Sequence, residues 1–248
     1  VDVGVTFGDD TTPGVDLIMP DPVYLEGFAD QIEAIILTHA HEDHIGAIGW
    51  LWPKLRAPIY ATPFTAYLVG EKLRERGLDR EAPLHIMQLR ESRTFGPFEV
   101  EMVTLTHSIP EPNGLAIRTP LGLIPHTGDW KIDPDPIIGE DFDQAKIEEL
   151  GREGILAMVC DSTNVFEEGE AGSEGMAREA LKRAVAEQTG RVAITSFASN
   201  VARVQSACEA ARPNDRSVCL VGRSMLRIVG AAQSVGLLKG FEFIDPED

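Results

Sequence analysis

The chain has 248 residues, with 22 Lys and Arg against 40 Asp and Glu, a net charge of −18 and 43% hydrophobic residues. Such a length and apolar content allow a sizeable core and exclude a disordered chain, while the acidity disfavours generic electrostatic binding to phosphate backbones. No apolar run approaches the ~20 residues of a membrane helix, and Cys160, Cys208 and Cys219 show no CxxC spacing, so the chain reads as a cytoplasmic protein with reduced thiols and no membrane partner.

In chain order, VDVGVTFGDD lacks the basic start and apolar run of a signal peptide. Residues 34–38 (AIILT) read as a buried strand. Residues 45–55 read as a helix opening at Gly46 and disturbed at its end by Pro53, and Pro58 begins the strand PIYAT. An amphipathic helix is expected over 62–77, with Gly77 as its stop. Residues 98–105 alternate as a strand, and 115–118 with 121–125 suggest a hairpin around residues 119–122. The character then changes. From Ala171 onward the pattern predicts helix 174–188, strand 191–196, helix 201–211, strand 217–221 and helix 225–234, an alternation that implies βαβ units and a parallel sheet. The stretch EEGEAGSEG (167–175) reads as a linker. The expected domains are therefore 1–165 and 173–248.

The most informative residues are His39-Ala40-His41-Glu42-Asp43-His44. Three of the chain's six histidines fall in this window, directly after the AIILT strand. In an extended segment the side chains of His39 and His41 point the same way, so two imidazoles converge on one cation. Asp43 and His44 follow as the chain turns into a helix, and face a second cation nearby. Imidazole with carboxylate suits Zn²⁺ best and Mn²⁺ as a substitute. Glu42 is expected to face away. Further ligands must come from distant loops, and His107 and Asp129, both just past predicted strands, are the candidates. His126 reads as a structural group near the site, and His85 as structural.

These residues resemble the metallo-β-lactamase superfamily, and Asp2 in VDVG resembles its first motif, an aspartate that buttresses the metal loop. The strings PGVDLIMPD, LTHAHEDHIGAI, THSIPE, HTGDWKID, CDSTN, TSFASNVARVQ and VGRSM together resemble ribonuclease J, of the β-CASP group. The resemblance implies an α/β fold: an αβ/βα sandwich followed by the opening half of an α/β β-CASP domain. It implies two zinc ions (or Mn²⁺), with His39, His41 and His107 on one, Asp43 and His44 on the other, and Asp129 bridging both. A hydroxide between the metals is then the nucleophile on phosphorus. Asp161 in DSTN matches an acidic residue beside the metals, giving Asp43, Asp129 and Asp161 catalytic places. Ser199 and Asn200 match positions that contact the RNA backbone. Phe197 reads first as a core residue and second as a platform for a base, and Arg203, Arg223 and Ser224 are weaker phosphate contacts.

The implied activity is hydrolysis of single-stranded RNA, 5′→3′ from a 5′-monophosphate, with endonucleolytic cleavage also open, by a protein that assembles into homo-oligomers. No histidine follows His126, whereas the family supplies two later ones, so the stretch reads as an internal portion of a chain roughly twice as long. Two alternatives stand beside this reading. One is a small-molecule hydrolase of the same superfamily; the other is a catalytically incomplete fragment that binds RNA.

Overall fold

The computed structural model describes residues 1–245. The chain forms two compact units. The first comprises Val1–Thr104, Glu111–Asp129 and Asp143–Asp161. It opens with an antiparallel pair, β1 (Thr6–Phe7) and β2 (Leu17–Ile18), and a single helical turn, α1 (Val23–Glu26). The predicted AIILT strand is β3 (Ile35–Ile36), both residues buried.

The helix expected from Gly46 starts earlier and is interrupted. A first turn, α2 (Glu42–Ile45), is followed by α3 (Ile48–Leu55). The N-terminal segment causes the break, because it takes hydrogen bonds that a continuous helix would keep. The Val3 N–H donates to His44 O at 2.7 Å, and the Ala47 N–H donates to Val3 O at 2.9 Å. Pro53 sits inside α3, which runs two residues further and ends where Arg56 turns left-handed at φ 56°.

The PIYAT run gives β4 (Ile59–Ala61), and α4 (Pro63–Glu75) follows with Pro at its first position, where a missing N–H costs no helical bond. With β5 (Leu84–Ile86) these strands make a parallel sheet in the order β3-β4-β5. A second, antiparallel sheet runs β6 (Ser92–Phe95), β7 (Phe98–Thr104), β8 (Asn113–Thr119) and β9 (Gly122–His126). The hairpin around 119–122 is the β8–β9 turn. The two sheets share one core: Ile36 and Met87 from the parallel side pack with Phe95, Val100, Met102 and Leu115. Residues 155–161 then run along β9, bridging Leu123 to Ile155 and His126 to Val159, after α5 (Gln144–Glu153). Two sheets sharing a core, with helices between and after their strands, make the mixed α/β sandwich that the sequence implies.

The second unit comprises Leu105–Pro110, Trp130–Phe142 and the chain from Ser162 onward. The last crossing between the two units lies at residues 161–162, and two inner stretches join the later part. Their anchors are visible: Thr106 and Lys131 pair as an antiparallel bridge, and Asp133 holds the Glu174 N–H through Oδ2 at 3.0 Å. The helices are α6 (Glu174–Ala186), α7 (Val201–Ala211) and α8 (Arg223–Ser234), close to the predicted spans.

The two predicted strands between those helices are corrected. Among the described residues, 191–196 form no strand, and 217–221 contribute only a bridge between Cys219 and Ile244. A strand exists only when a neighbour takes its backbone hydrogen bonds; among the described residues 191–196 lack that neighbour and 217–221 have it only at Ile244, while Ile194 remains 44% exposed. No helix among the described residues is long and apolar enough to cross a membrane.

Candidate metal centre

The site grows from the end of β3. Thr38 and His39 are fully buried there, and His41 begins the first turn of α2, which carries Asp43 and His44. Asp2 organises them from the N-terminal segment, at a left-handed φ of 55°. Its Oδ1 accepts the Thr38 N–H at 2.8 Å, and its Oδ2 accepts the Thr38 hydroxyl at 2.9 Å and His44 Nδ1 at 2.8 Å.

These bonds decide which imidazole nitrogens face the site. Thr38 gives its only hydroxyl proton to Asp2, so at 3.0 Å it accepts from Nδ1 of His39. The Nε2 atom of His39 is then the lone-pair nitrogen. In the same way Asp2 takes Nδ1 of His44 and leaves Nε2 pointing at the site. His39 Nε2 lies 3.1 Å from His41 Nδ1. His44 Nε2 lies 3.2 Å from Asp129 Oδ1 and 3.7 Å from Asp43 Oδ2. Two donors on one tetrahedral Zn²⁺ at ~2.05 Å stand about 3.3 Å apart, so these separations fit a shared cation.

Asp129 arrives from the turn after β9. Gly128 makes that turn possible at φ +56°, where an added Cβ would press on Thr38 at 3.0 Å. Ligand atoms of Asp129 lie within 4.8 Å of those of His39 and His41, and likewise of Asp43 and His44. His107 lies three residues past β7, on the stretch Leu105–Pro110 that packs with the second unit. Asp161 is held beside the same turn, its N–H donating to the Thr127 hydroxyl at 3.0 Å. Burial disfavours a charged His44, yet hydrogen bonds to Asp129 and Asp2 outweigh it and raise the imidazole to about 10. Burial pushes His126 the other way, and its Nδ1 accepts the Gly128 N–H at 3.1 Å. Glu42 points elsewhere and pairs with Lys72 of α4.

The later motif residues sit in the second unit. The Asn200 side chain caps α7, accepting the Arg203 N–H at 3.0 Å and donating to Glu174 at 3.3 Å. Arg203 reaches Glu174 Oε2 at 2.6 Å. Ser199, the residue before that cap, is half-buried, and Arg223 and Ser224 open α8, exposed. The core reading of Phe197 is corrected: it is 85% exposed.

Sequence reasoning passed over several residues that the structure makes structural. Gly4 is one, for a Cβ there would lie 1.5 Å from the Asp43 carbonyl oxygen. Lys131 and Asp133 are two more, paired at 2.9 Å within HTGDWKID. In each case the signal was a motif residue of no obvious chemistry.

The sequence matches the family described as "Beta-lactamase superfamily domain" over residues 10–148, and "Ribonuclease J, beta-CASP domain" over 189–247. It is similar to "Ribonuclease J" of Sinorhizobium meliloti, 47% identical over 100% of this chain and 44% of that protein. It is also similar to "Ribonuclease J" of Corynebacterium glutamicum, 45% identical over 96% of this chain and 33% of that one. The chain thus spans less than half the length of these relatives. A crystal structure of a protein of unknown function from Enterococcus faecalis shares the fold at TM-score 0.61 and 20% identity, over 86% of this chain and 50% of that one. In sequence and in its metallo-β-lactamase fold, the chain belongs to the β-lactamase superfamily, and its later part is similar to the ribonuclease J β-CASP domain.

Proposed function

We propose that this chain is the part of a metal-dependent ribonuclease that binds two divalent cations, Zn²⁺ or Mn²⁺, and cleaves single-stranded RNA. The observation that carries the reading is the sharing of Asp129 between two ligand groups, His39 with His41 and Asp43 with His44. His107, on the loop after β7, is the third imidazole in this reading. The donor set suits the ions: imidazole nitrogens and carboxylate oxygens, with Asp2 and Thr38 holding the far nitrogens. When bound, such ions polarise a phosphoryl oxygen and lower the pKa of water.

The chain's own residues supply the rest. Asp129 and Asp43 offset cationic charge, Asp161 stands beside the Asp129 turn as an acid–base group, and Ser199 and Asn200 lie on the RNA path. The net charge of −18 supports cations rather than a lysine groove as the phosphate anchor. Direction 5′→3′, preference for a 5′-monophosphate, homo-oligomeric assembly and a cytoplasmic location follow from the ribonuclease J likeness. The match over 189–247 weighs against a small-molecule hydrolase.

The test is a time course on 3′-labelled, 5′-monophosphorylated RNA with Mn²⁺ or Zn²⁺, beside His41→Ala and Asp129→Asn. Metal content is measured on all three proteins. Loss of RNA in the unmutated chain alone, with less metal in both variants, supports the reading. Equal metal content in all three proteins sinks the shared site. RNA left intact by a fully loaded chain assigns it a binding rather than a cleaving part.

A further inference from the structure

Glu111 is the penultimate residue of the loop that runs from β7 to β8, four residues after His107. Its backbone is left-handed, φ 53°, a conformation that side-chain-bearing residues rarely adopt. What holds it there is the start of α4. The Phe64 N–H donates to Glu111 Oε2 at 2.8 Å, across 47 residues of sequence. Thr62, the N-cap residue of α4, makes no side-chain cap of its own, so the distant carboxylate fills that place. Burial pushes the Glu111 carboxyl above its ordinary value, and the Phe64 N–H and the Thr62 hydroxyl draw it back.

The main chain of Glu111 is tied as firmly. Its carbonyl oxygen accepts Asn113 Nδ2 at 2.7 Å, and the Asn113 N–H donates to Thr38 O at 3.1 Å. Asn113 is 1% exposed. One end of the His107 loop is thereby fastened both to the buried start of α4 and to the residue preceding His39.

We infer that Glu111 is a positioning residue for His107, its carboxylate on the start of α4 fixing the returning end of the loop that presents this imidazole to a metal ion. The inference rests on the proposed function, in which His107 is a ligand. A helix cap with no further role would affect folding alone, and that difference can be measured.

The experiment compares Glu111→Ala, Glu111→Gly, Glu111→Gln and His107→Ala with the unmutated 248-residue chain. It reads Zn²⁺ affinity by chelator competition, the Co²⁺ absorption spectrum, and the thermal midpoint in EDTA. The expected result is a loss of about 10- to 100-fold in affinity for one of two ions in the Ala and Gly variants. Their Co²⁺ spectra should match that of His107→Ala, and Gln, which keeps an acceptor oxygen, should restore most of the affinity. Glycine relieves the left-handed backbone, so its loss would not come from strain. Unmutated affinity and spectrum in the Ala and Gly variants would overturn the inference. So would a loss that follows only a fallen thermal midpoint and is not rescued by Gln. If His107→Ala binds both ions as the unmutated chain does, His107 leaves the proposed ligand set and Glu111 loses this role with it.

Discussion

Asp2 Oδ2 stands 2.8 Å from His44 Nδ1, across 42 residues of sequence. The contact fixes the outward nitrogen of His44, and the same carboxylate, through Thr38, fixes that of His39. One half-buried side chain thus orients a residue from each of the two groups that share Asp129. Asp2→Ala should therefore weaken metal binding about 10- to 100-fold. Asp2→Asn should fall between, since an amide oxygen still accepts one bond. Titration with Zn²⁺ against a chromophoric chelator gives the affinities; unchanged binding in Asp2→Ala would remove the buttress from the account.

Gly4→Ala should damage the fold more than its size suggests. The new methyl would lie 1.5 Å from the Asp43 carbonyl oxygen and 2.0 Å from its carbon, both backbone atoms that cannot rotate away. Separating the N-terminal segment from α2 should cost about 1–3 kcal/mol or more. Urea unfolding of the variant measures it, and a midpoint equal to that of the unmutated chain would count against the close approach.

Acid should unfold the second unit through two carboxylates. Burial raises both, but Lys131 and the Asp135 and Glu174 N–H groups bring Asp133 below its ordinary value, and Arg203, with Lys131 and Asn200, does the same for Glu174. A lowered folded value means stability that is full above the ordinary carboxylate range and lost as pH falls through the folded one. Glu174→Ala takes the side-chain partner from Lys131, Arg203 and Asn200 but leaves the backbone N–H that Asp133 accepts, so it should lower the thermal midpoint at pH 7 and flatten its dependence between about pH 5 and pH 3. A variant that keeps the full acid dependence would show that other groups govern it.

Cys208 should be slow to alkylate. Burial raises its thiol from 9.0 to about 11, so the thiolate that reacts is scarce at neutral pH. Cys160 and Cys219 are half-buried and should react first with iodoacetamide at pH 8. Because the folded state favours the protonated thiol, its contribution to stability is full below about pH 9 and lost as pH rises towards 11. Mass spectrometry of a timed alkylation gives the order; prompt labelling of Cys208 in the folded chain would contradict its burial.

Local pattern was enough for the elements whose hydrogen bonds are internal or whose apolar stripe is strong. Helix α7 runs Val201–Ala211 as predicted, because a helix satisfies its own backbone. The spacing of HAHEDH placed two imidazoles on an extended stretch and the next two candidate ligands on a helical turn, since side-chain direction follows from backbone period.

Other features depended on partners far along the chain. The helix expected from Gly46 breaks into α2 and α3 because Val3 takes hydrogen bonds there, and nothing in residues 42–55 announces Val3. The apolar run 191–196 has strand composition but no strand beside it. Phe197 reads as core by residue type, yet lies 85% exposed, because burial belongs to the surroundings and not to the side chain. The sequence by itself determined the candidate ligand types, the spacing of HAHEDH and the family, all carried by local residue identity. Only the tertiary structure decided which nitrogens face inward, that Gly4 must lack a Cβ, and that Glu111 caps α4. Those depend on contacts 36 or more residues apart, which local pattern cannot encode.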